Sequence, residues 1–273
     1  MTAHILAFIG GGNMARSLVG GLVAQGTPGP AIRIAEPVAA LREALQADFG
    51  ASTFESASSA VDGASTWVMA VKPQVMREVC EDLATQAQAA RPLVVSIAAG
   101  ITATQLERWL GGGIPVVRAM PNTPALLGAG VTGLYANDRV DTTQRQAAET
   151  LLASAGATVW VQNEALMDAV TAVSGSGPAY VFLLAEAMQA AGESQGLPPD
   201  VARTLTLQTV LGAARMLTEG DVDAAELRRR VTSPGGTTQA AIETFEAGGL
   251  RELVAKAIAN ATVRGGELSK AND

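Results

Sequence analysis

The sequence has very little of the residues on which several common chemistries depend. Among its 273 residues there is one cysteine, Cys80, and one histidine, His4. A single cysteine cannot form an internal disulfide, and this pair cannot supply the ligands of a zinc site or a histidine-based nucleophile relay. Any chemistry of this protein is therefore expected to proceed without a metal and without a histidine base.

Positive charge and long apolar runs are also scarce. The chain carries 19 Lys and Arg against 26 Asp and Glu, a formal net charge of −7, and no Lys/Arg-rich run longer than the three arginines 228–230. Because nucleic-acid backbones are bound through clustered positive charge, nucleic acid is not expected as a partner. The longest apolar stretch, 177–192, contains Glu186 and Gln189 and is shorter than the roughly 20 residues of a membrane span. With no secretory signal visible, we expect a cytoplasmic protein without membrane segments.

The N-terminal part of the chain alternates short apolar runs with helical patterns. This alternation predicts a mostly parallel sheet covered by helices, because continuous apolar runs are typical of strands that are buried on both faces. The predicted strands are 5–9, 32–35, 66–71, 93–97, 116–118, 131–135 and 158–161, and the clearest predicted helices are 14–25 and 142–155.

The pattern changes after residue 163, where no further strand run appears and Ala, Leu, Glu and Arg dominate. This composition predicts a region made only of helices. The predicted helices are 165–173, 178–194, 199–219, 224–231, 238–247 and 250–268. The predicted fold class is therefore α/β, with a Rossmann-type doubly wound sheet in residues 1–163 and an all-helical domain in residues 164–273.

A glycine-rich segment directly after the first predicted strand is the first candidate binding site. It has the pattern G-x-G-x-x-A and consists of Gly10, Gly11, Gly12, Asn13, Met14 and Ala15. Glycines permit a sharp turn and a close approach of pyrophosphate, the alanine lets the helix pack on the strand, and the helix start offers free N–H groups. The segment therefore predicts a dinucleotide site.

An acidic residue, Glu36, follows the second predicted strand. At this position a carboxylate accepts hydrogen bonds from a ribose 2′-hydroxyl and repels a 2′-phosphate, which favours NAD over NADP. Arg33 and Arg42 are near enough in sequence to receive a phosphate, and a solvated carboxylate at a strand end is the alternative interpretation. The sequence therefore leaves the choice between NADH and NADPH open.

Further candidates follow other predicted strands at the same edge of the sheet, where doubly wound folds bind ligands. They are Ala70, Val71, Lys72 and Pro73 after one strand, and Ala98 and Ala99 after the next. Their small side chains leave room for a cofactor, although Lys72 is also explained as a surface lysine. Asn122 predicts either a polar contact with a ligand or a rigid turn.

A turn between two predicted helices places hydroxyl groups at a helix start. Pro234, Gly235 and Gly236 predict the turn, and the hydroxyls belong to Ser233, Thr237 and Thr238. Hydroxyls together with free N–H groups can receive a small carboxylate. On spacing alone, a helix start that is merely capped explains the segment equally well.

These segments together resemble the pyrroline-5-carboxylate reductase family, in order and spacing over essentially the whole chain. The resemblance rests on the segments 10–15, 71–73, 120–122, 171–179 and 231–241. It implies a Rossmann domain, a helical dimerisation domain that forms an interlocked homodimer, and frequent assembly of dimers into larger rings such as a decamer. It also implies NAD(P)H-dependent reduction of the cyclic imine 1-pyrroline-5-carboxylate to L-proline, the last step of proline biosynthesis.

The resemblance also implies roles for individual residues. Ser233, Gly236, Thr237 and Thr238 correspond to contacts with the substrate, and Thr238 is the catalytic candidate because its hydroxyl would orient the ring nitrogen. Glu164 matches a position at the ligand site, and the segments 10–15 and 70–73 match the cofactor site. Two positions depart from the family pattern: relatives commonly have Asn near Ala57, and relatives specialised for NADP often have Ser or Thr in place of Glu36.

Two other functions compete with this interpretation. A β-hydroxyacid dehydrogenase shares a Rossmann domain followed by helices, but it needs a lysine on the helical side as acid and base. The only lysines after Lys72 are Lys256 and Lys270, and neither lies in a motif. A non-catalytic NAD(P)-binding sensor would leave the hydroxyl cluster of residues 233–238 without a purpose.

Overall fold

The computed structural model describes residues 4–272, and the chain divides into two compact units. One unit, here called the sheet unit, extends to Ser176 and includes the segment from Ala259 onward. The other, the helical unit, is Gly177–Ile258. The predicted domain boundary between residues 163 and 164 stays a prediction.

The sheet unit is built on one sheet with the strand order β3-β2-β1-β4-β5-β6-β7-β8. Within the described residues its strands are β1 (Leu6–Ile9), β2 (Ile32–Ala35), β3 (Ser52–Phe54), β4 (Thr66–Met69), β5 (Leu93–Ser96), β6 (Val116–Met120), β7 (Gly130–Ala136) and β8 (Gly156–Trp160). Neighbouring strands are parallel except for β6 and β7, which pair antiparallel. The predicted Rossmann-type sheet is thereby confirmed.

Helices cover both faces of this sheet. They are α1 (Asn13–Ala24), α2 (Ala39–Phe49), α3 (Ala57–Val61), α4 (Pro73–Ala90), α5 (Ala103–Trp109), α6 (Thr142–Ala153) and α7 (Met167–Val170), with 3-10 turns at Gly29–Ala31, Thr123–Leu127 and Glu164–Leu166. Successive residues of a strand point to opposite faces, so Phe8 packs with α1, α2 and α6 while Ala7 and Ile9 pack with α3, α4 and α5. Burial on both faces explains why the sequences of β1, β4 and β5 are almost entirely apolar.

The predicted helix 165–173 is wrong as a single regular helix. The structure has the short α7 followed by a π-helix at Thr171–Gly175, in which the Ser176 N–H donates to the Thr171 carbonyl at 2.8 Å. Close packing accompanies this irregularity, because a Cβ on Gly175 would lie 2.6 Å from Cε of Met120. A π-helix inside a helical segment often marks a functional site.

The rest of the described chain is helical, as predicted. Its helices are α8 (Gly177–Ser194), α9 (Pro199–Glu219), α10 (Ala224–Arg230), α11 (Thr237–Ala247) and α12 (Leu250–Ala271), of which α12 begins in the helical unit and ends in the sheet unit. In the helical unit α8 packs against α9, and only Ala202 and Thr206 are buried. None of the helices between residues 4 and 272 combines the length and the apolar character needed to cross a membrane.

Candidate functional site

The glycine turn joins β1 to α1 and brings three strand ends together. The Gly10 N–H donates to the carbonyl of Ala35, at the end of β2, at 2.9 Å. Gly10 has φ +107°, and a Cβ there would lie 2.7 Å from the carbonyl oxygen of Ala70. Only glycine fits this position, because a side chain would meet both an unfavourable backbone conformation and the backbone after β4. At Gly12, by contrast, a Cβ would meet nothing within 4 Å, so the turn is open on that side.

The start of α1 is open to a ligand as well. Its N-cap residue is Gly12, and no side chain of the described residues forms a cap hydrogen bond there. The first N–H groups of a helix have no partner within the helix, and the helix dipole makes this end positive. Ala15 is buried against the sheet, as the motif requires. The arrangement fits the pyrophosphate of a dinucleotide.

Glu36 lies directly beside this turn and is only 8% exposed. One carboxylate oxygen accepts the N–H of Gly11 at 3.1 Å, and the other accepts the N–H of Val38 at 3.0 Å. The two nearby arginines are bound to backbone carbonyls. Arg42 donates to the carbonyls of Glu36 and Pro37 at 2.7 and 2.8 Å, while Arg33 donates to the Asp62 carbonyl.

The remaining cofactor candidates follow β4 and β5, which are the next strands along the same edge. Ala70 and Val71 are half-buried after β4, Lys72 is the exposed N-cap residue of α4, and Pro73 is the first residue of that helix. After β5, Ala98 is buried and Ala99 is exposed. All cofactor candidates therefore line the carboxyl edge of four adjacent strands, β2, β1, β4 and β5.

Asn122 forms a rigid turn instead of presenting its amide to a ligand. It is buried, its Nδ2 donates to the carbonyl of Ser174 at 3.1 Å, and its Oδ1 accepts the N–H of Val131 at 3.0 Å. Of the two predicted roles, the rigid turn is the one that its contacts support. The side chain ties the loop after β6 to the π-helix.

Glu164 is held by a buried arginine that the sequence analysis did not single out. Arg118 on β6 is 5% exposed, and its guanidinium donates to Glu164 at 3.3 Å and to Asp168 at 3.4 Å. The same Glu164 oxygen accepts the N–H of Ala103, in the first turn of α5, at 2.6 Å. An arginine within an otherwise apolar strand is the signal that could have revealed this cluster, since a buried charge needs a partner.

The charge of this cluster also affects a neighbouring side chain. Burial, and after it the negative charges of Glu164 and Asp138, raise the pKa of the Tyr135 hydroxyl above its usual value of 10.0. Tyr135 therefore stays protonated at neutral pH. It is on β7, which pairs with β6 so that Tyr135 is the partner of Arg118.

In the helical unit, the turn at residues 233–238 has an open helix start. Gly235 has φ +69°, and Gly236 is the N-cap residue of α11 without a side-chain cap hydrogen bond. The Gly236 N–H donates to the Ser233 carbonyl at 3.0 Å. The hydroxyls of Ser233, Thr237 and Thr238 have no hydrogen bond to another described residue. The alternative of a merely capped helix is wrong, because none of these hydroxyls caps α11.

Comparisons with known proteins cover almost the whole chain. Sequence models match residues 164–268, described as pyrroline-5-carboxylate reductase dimerisation, and residues 5–100, described as NADP oxidoreductase coenzyme F420-dependent. The pyrroline-5-carboxylate reductase of Pseudomonas aeruginosa is 52% identical over 99% of this chain and 98% of its own.

Two solved structures are similar over the same extent. The pyrroline-5-carboxylate reductase of Coxiella burnetii has a TM-score of 0.95 and 43% identity, covering 98% of this chain and 99% of its own. The pyrroline carboxylate reductase of Plasmodium falciparum, with NADP bound, has a TM-score of 0.85 and 27% identity, with the same coverage.

Proposed function

Since the chain belongs to the pyrroline-5-carboxylate reductase family, we propose which of its residues carry the reaction. The protein is an oxidoreductase that reduces 1-pyrroline-5-carboxylate to L-proline with NAD(P)H, in proline biosynthesis. The dinucleotide is assigned to Gly10–Ala15, Glu36, Ala70–Pro73, Ala98 and Ala99. The substrate is assigned to Glu164, Ser233, Gly236, Thr237 and Thr238.

The observation that carries the substrate assignment is the start of α11. Its first N–H groups have no partner within the helix. The hydroxyls of Ser233, Thr237 and Thr238 form no hydrogen bond with another described residue. The carboxylate of the substrate is acceptor-only and negatively charged, so it matches both the donors and the positive end of the helix dipole. We assign the carboxylate to these N–H groups together with Ser233 and Thr237.

The chemistry of the substrate explains why the chain needs no histidine. A protonated cyclic imine is already electrophilic. The nicotinamide, when bound, supplies the hydride, and the imine carbon of the substrate accepts it. The protein has mainly to align the two reactants, an effect that can contribute about 7–11 kcal/mol. The Thr238 hydroxyl holds the ring nitrogen while it changes from an imine to an amine. Thr238 is therefore an orienting group rather than a general base.

Two variants of Thr238 test this role. Thr238→Ala should lower kcat/KM for 1-pyrroline-5-carboxylate by roughly tenfold to a hundredfold, because one hydrogen bond made mainly in the transition state is lost. Thr238→Ser keeps the hydroxyl and should lose much less. The dissociation constant of the dinucleotide and the melting temperature should remain nearly unchanged in both. Full activity of Thr238→Ala would remove Thr238 from the mechanism.

The same assay separates the proposal from the two competing functions. A non-catalytic sensor would bind dinucleotide without oxidising it when 1-pyrroline-5-carboxylate is added. A β-hydroxyacid dehydrogenase would instead reduce NAD(P)+ with hydroxyacids. We expect the protein to oxidise the reduced cofactor when 1-pyrroline-5-carboxylate is added. We expect no reduction of NAD(P)+ with hydroxyacids.

Self-association follows from the match to the dimerisation family. We propose that the homodimer forms through the helices of residues 164–273 and that dimers assemble further into a decamer. Light scattering after gel filtration distinguishes the two sizes. The match over residues 164–268 also supports the functional boundary at 163/164.

The proposed compartment is the cytoplasm. Cys80, the single cysteine of the sequence, is buried and free. Burial, assisted by the nearby charge of Glu81, raises the pKa of its thiol to about 12. The thiol is therefore protonated and unreactive at neutral pH, which suits a chain that does not rely on disulfides.

A further inference from the structure

The side chain of Glu36 is fixed in one position beside the glycine turn. Each of its carboxylate oxygens accepts one backbone N–H, from Gly11 at 3.1 Å and from Val38 at 3.0 Å. Gly11 also lies close to the Glu36 side chain, since a Cβ on Gly11 would lie 3.2 Å from Cβ of Glu36 and 2.7 Å from Cδ1 of Leu45. If the carboxylate turned away, it would lose both hydrogen bonds, and the buried N–H of Gly11 would be left unpaired.

A fixed carboxylate at this position treats the two nicotinamide cofactors differently. Each of its oxygens has two lone pairs, so one N–H bond on each leaves capacity to accept a hydrogen bond from a ribose hydroxyl. A phosphate monoester carries about −1.5 to −2 charges at neutral pH and would face a negative charge that is unable to move. The position therefore accepts the 2′-hydroxyl of NADH and repels the 2′-phosphate of NADPH.

The positive side chains that could offset this repulsion have other partners. An arginine near the end of β2 is the group that accommodates a 2′-phosphate in Rossmann domains. Here Arg42 donates to the carbonyls of Glu36 and Pro37, at 2.7 and 2.8 Å. Arg33 donates to the carbonyl of Asp62, and its guanidinium lies over the ring of Phe54, 4.6 Å from the ring centre. These hydrogen bonds engage Nη1 of each guanidinium, so each side chain already has protein partners that hold it when a phosphate is present.

From this geometry we infer that the protein uses NADH in preference to NADPH, and that Glu36 is the residue that determines the preference. The inference rests on the cofactor site proposed above. It concerns one branch of the cofactor, the adenosine ribose, and leaves the reduction of the imine by the nicotinamide unchanged.

Binding of the two cofactors to the wild-type protein, without substrate, is the first test. Fluorescence titrations should give a dissociation constant at least about tenfold lower for NADH than for NADPH, equivalent to about 1.4 kcal/mol. Equal affinity, or tighter binding of NADPH, would overturn the inference. A protein that binds NADH selectively but does not reduce 1-pyrroline-5-carboxylate would contradict the proposed function and leave this inference standing.

Substitution of Glu36 is the second test, and the ratio of the two affinities is the quantity to compare. Glu36→Ser removes the charge and should lower the preference for NADH by about tenfold or more. The variant also loses the bonds to Gly11 and Val38, but this loss weakens both cofactors alike and cancels in the ratio. Glu36→Asp, the matched control, keeps the charge and should still favour NADH. An unchanged ratio in Glu36→Ser would show that Glu36 does not determine the preference.

Substitution of the arginines checks for a phosphate site. Arg42→Ala and Arg33→Ala should change the affinities for NADH and NADPH by the same factor, because these side chains support backbone carbonyls. The ratio of kcat/KM values with the two cofactors should show the same pattern. A loss confined to NADPH in either variant would mean that this arginine holds the 2′-phosphate, and it would overturn the inference.

Discussion

The two compact units bury their apolar side chains in different ways. In the sheet unit β1, β4 and β5 are buried along their whole length, with helices on both faces of the sheet. In the helical unit the long helix α8 has no buried residue, although Phe182, Leu183 and Leu184 follow one another in it. The sheet unit therefore provides its own core, whereas the helical unit exposes apolar surface that a protein of this size rarely leaves free.

This difference explains the self-association. Three successive apolar residues point in three directions around a helix, so α8 needs partners on several sides. The match of residues 164–268 to the dimerisation family identifies the partner as a second copy of the same chain. In a twofold dimer both copies contribute the same surface, so one interface covers the same residues of each copy.

The helix starts at two candidate sites lack a side-chain cap, as do those of α2 and α9, whereas several other helix starts are capped. Thr102 and Asp141 form capping boxes at α5 and α6, and Asp223 caps α10. The helices that begin at Gly12 and Gly236 have no side-chain cap. A missing cap usually costs about 0.5–2 kcal/mol of stability, and at these two positions it leaves N–H groups free for a ligand.

The largest effect is expected when the apolar surface of α8 is given a charge. Leu183 is 67% exposed in the single chain. Leu183→Asp would bury an unpaired carboxylate twice in a symmetric dimer, and each burial costs several kcal/mol. We expect dimerisation to weaken at least about a thousandfold, which sedimentation velocity over a range of protein concentrations would measure.

Leu127 provides the matched control in the sheet unit. It is 87% exposed, at the end of the 3-10 turn Thr123–Leu127. Leu127→Asp introduces the same charge on a more exposed leucine and should leave the dimer intact. If Leu127→Asp dissociated the protein and Leu183→Asp did not, or if the wild type were a stable, active monomer at micromolar concentration, the assignment of the interface to the helical unit would be wrong.

An effect of similar size distinguishes the two units when a phenylalanine is replaced by alanine in each. Phe8 is fully buried in β1, and Phe8→Ala should lower the free energy of unfolding by about 3–5 kcal/mol without changing the dimer dissociation constant. Phe182→Ala should do the reverse, raising the dissociation constant because its ring is covered only in the dimer. Urea titrations together with dilution experiments separate the two. A raised dissociation constant in Phe8→Ala alone would contradict the comparison.

Much of the fold could be predicted because its signals are local. The seven predicted strands are all present. The clearest signals come from β1, β4 and β5, which are buried along their whole length, whereas the residues of β8 are alternately half-buried and exposed. The additional strand β3, Ser52–Phe54, has three half-buried residues at the sheet edge and no apolar run, so it gives no periodic signal. The segment predicted as one helix over 165–173 is helical but irregular, since it changes from 3-10 to α to π. A bond from Asn122 to the Ser174 carbonyl, 52 positions away in sequence, accompanies the π-helix.

The candidate site shows the same division between local and distant signals. The glycine turn and the segment 233–238 were identified because each places its donors within a few consecutive residues. The cluster of Arg118 and Glu164 was missed, because these residues are 46 positions apart and meet only when β6 is in place. For the same reason the sequence left the cofactor preference open, since the partners of Arg33 and Arg42 are backbone carbonyls that no pattern indicates.

The smallest expected effect concerns two ion pairs, one in each unit, whose carboxylates differ in exposure. Glu107 in the sheet unit accepts hydrogen bonds from Arg139 at 2.6 Å, from the Gly113 N–H at 2.9 Å and from Asn137 at 3.2 Å. Burial alone would raise the pKa of Glu107, but these donors outweigh it and hold the pKa below its usual value of 4.5. Glu246 in the helical unit also has a lowered pKa, caused first by its hydrogen bond from Arg251.

The sign of the pH dependence follows from the lowered pKa of Glu107. Folding favours its charged form, so its contribution to stability is present above the unfolded pKa and is lost as the pH falls through the folded value. Glu107→Gln should cost about 0.5–1.5 kcal/mol near pH 7 and progressively less below about pH 4. Urea titrations of both proteins across this range measure the difference, and a difference that does not shrink in acid would show that packing, not charge, is responsible.

Glu246→Gln is the counterpart in the helical unit, and it should cost less than Glu107→Gln at every pH. The side chain of Glu246 is 42% exposed and that of Glu107 is 23% exposed, so water screens the pair with Arg251 more effectively. If dimerisation covers this pair, the cost of Glu246→Gln should rise with protein concentration, while that of Glu107→Gln should not. Equal costs at low protein concentration would mean that the two units do not differ in how their surfaces meet water.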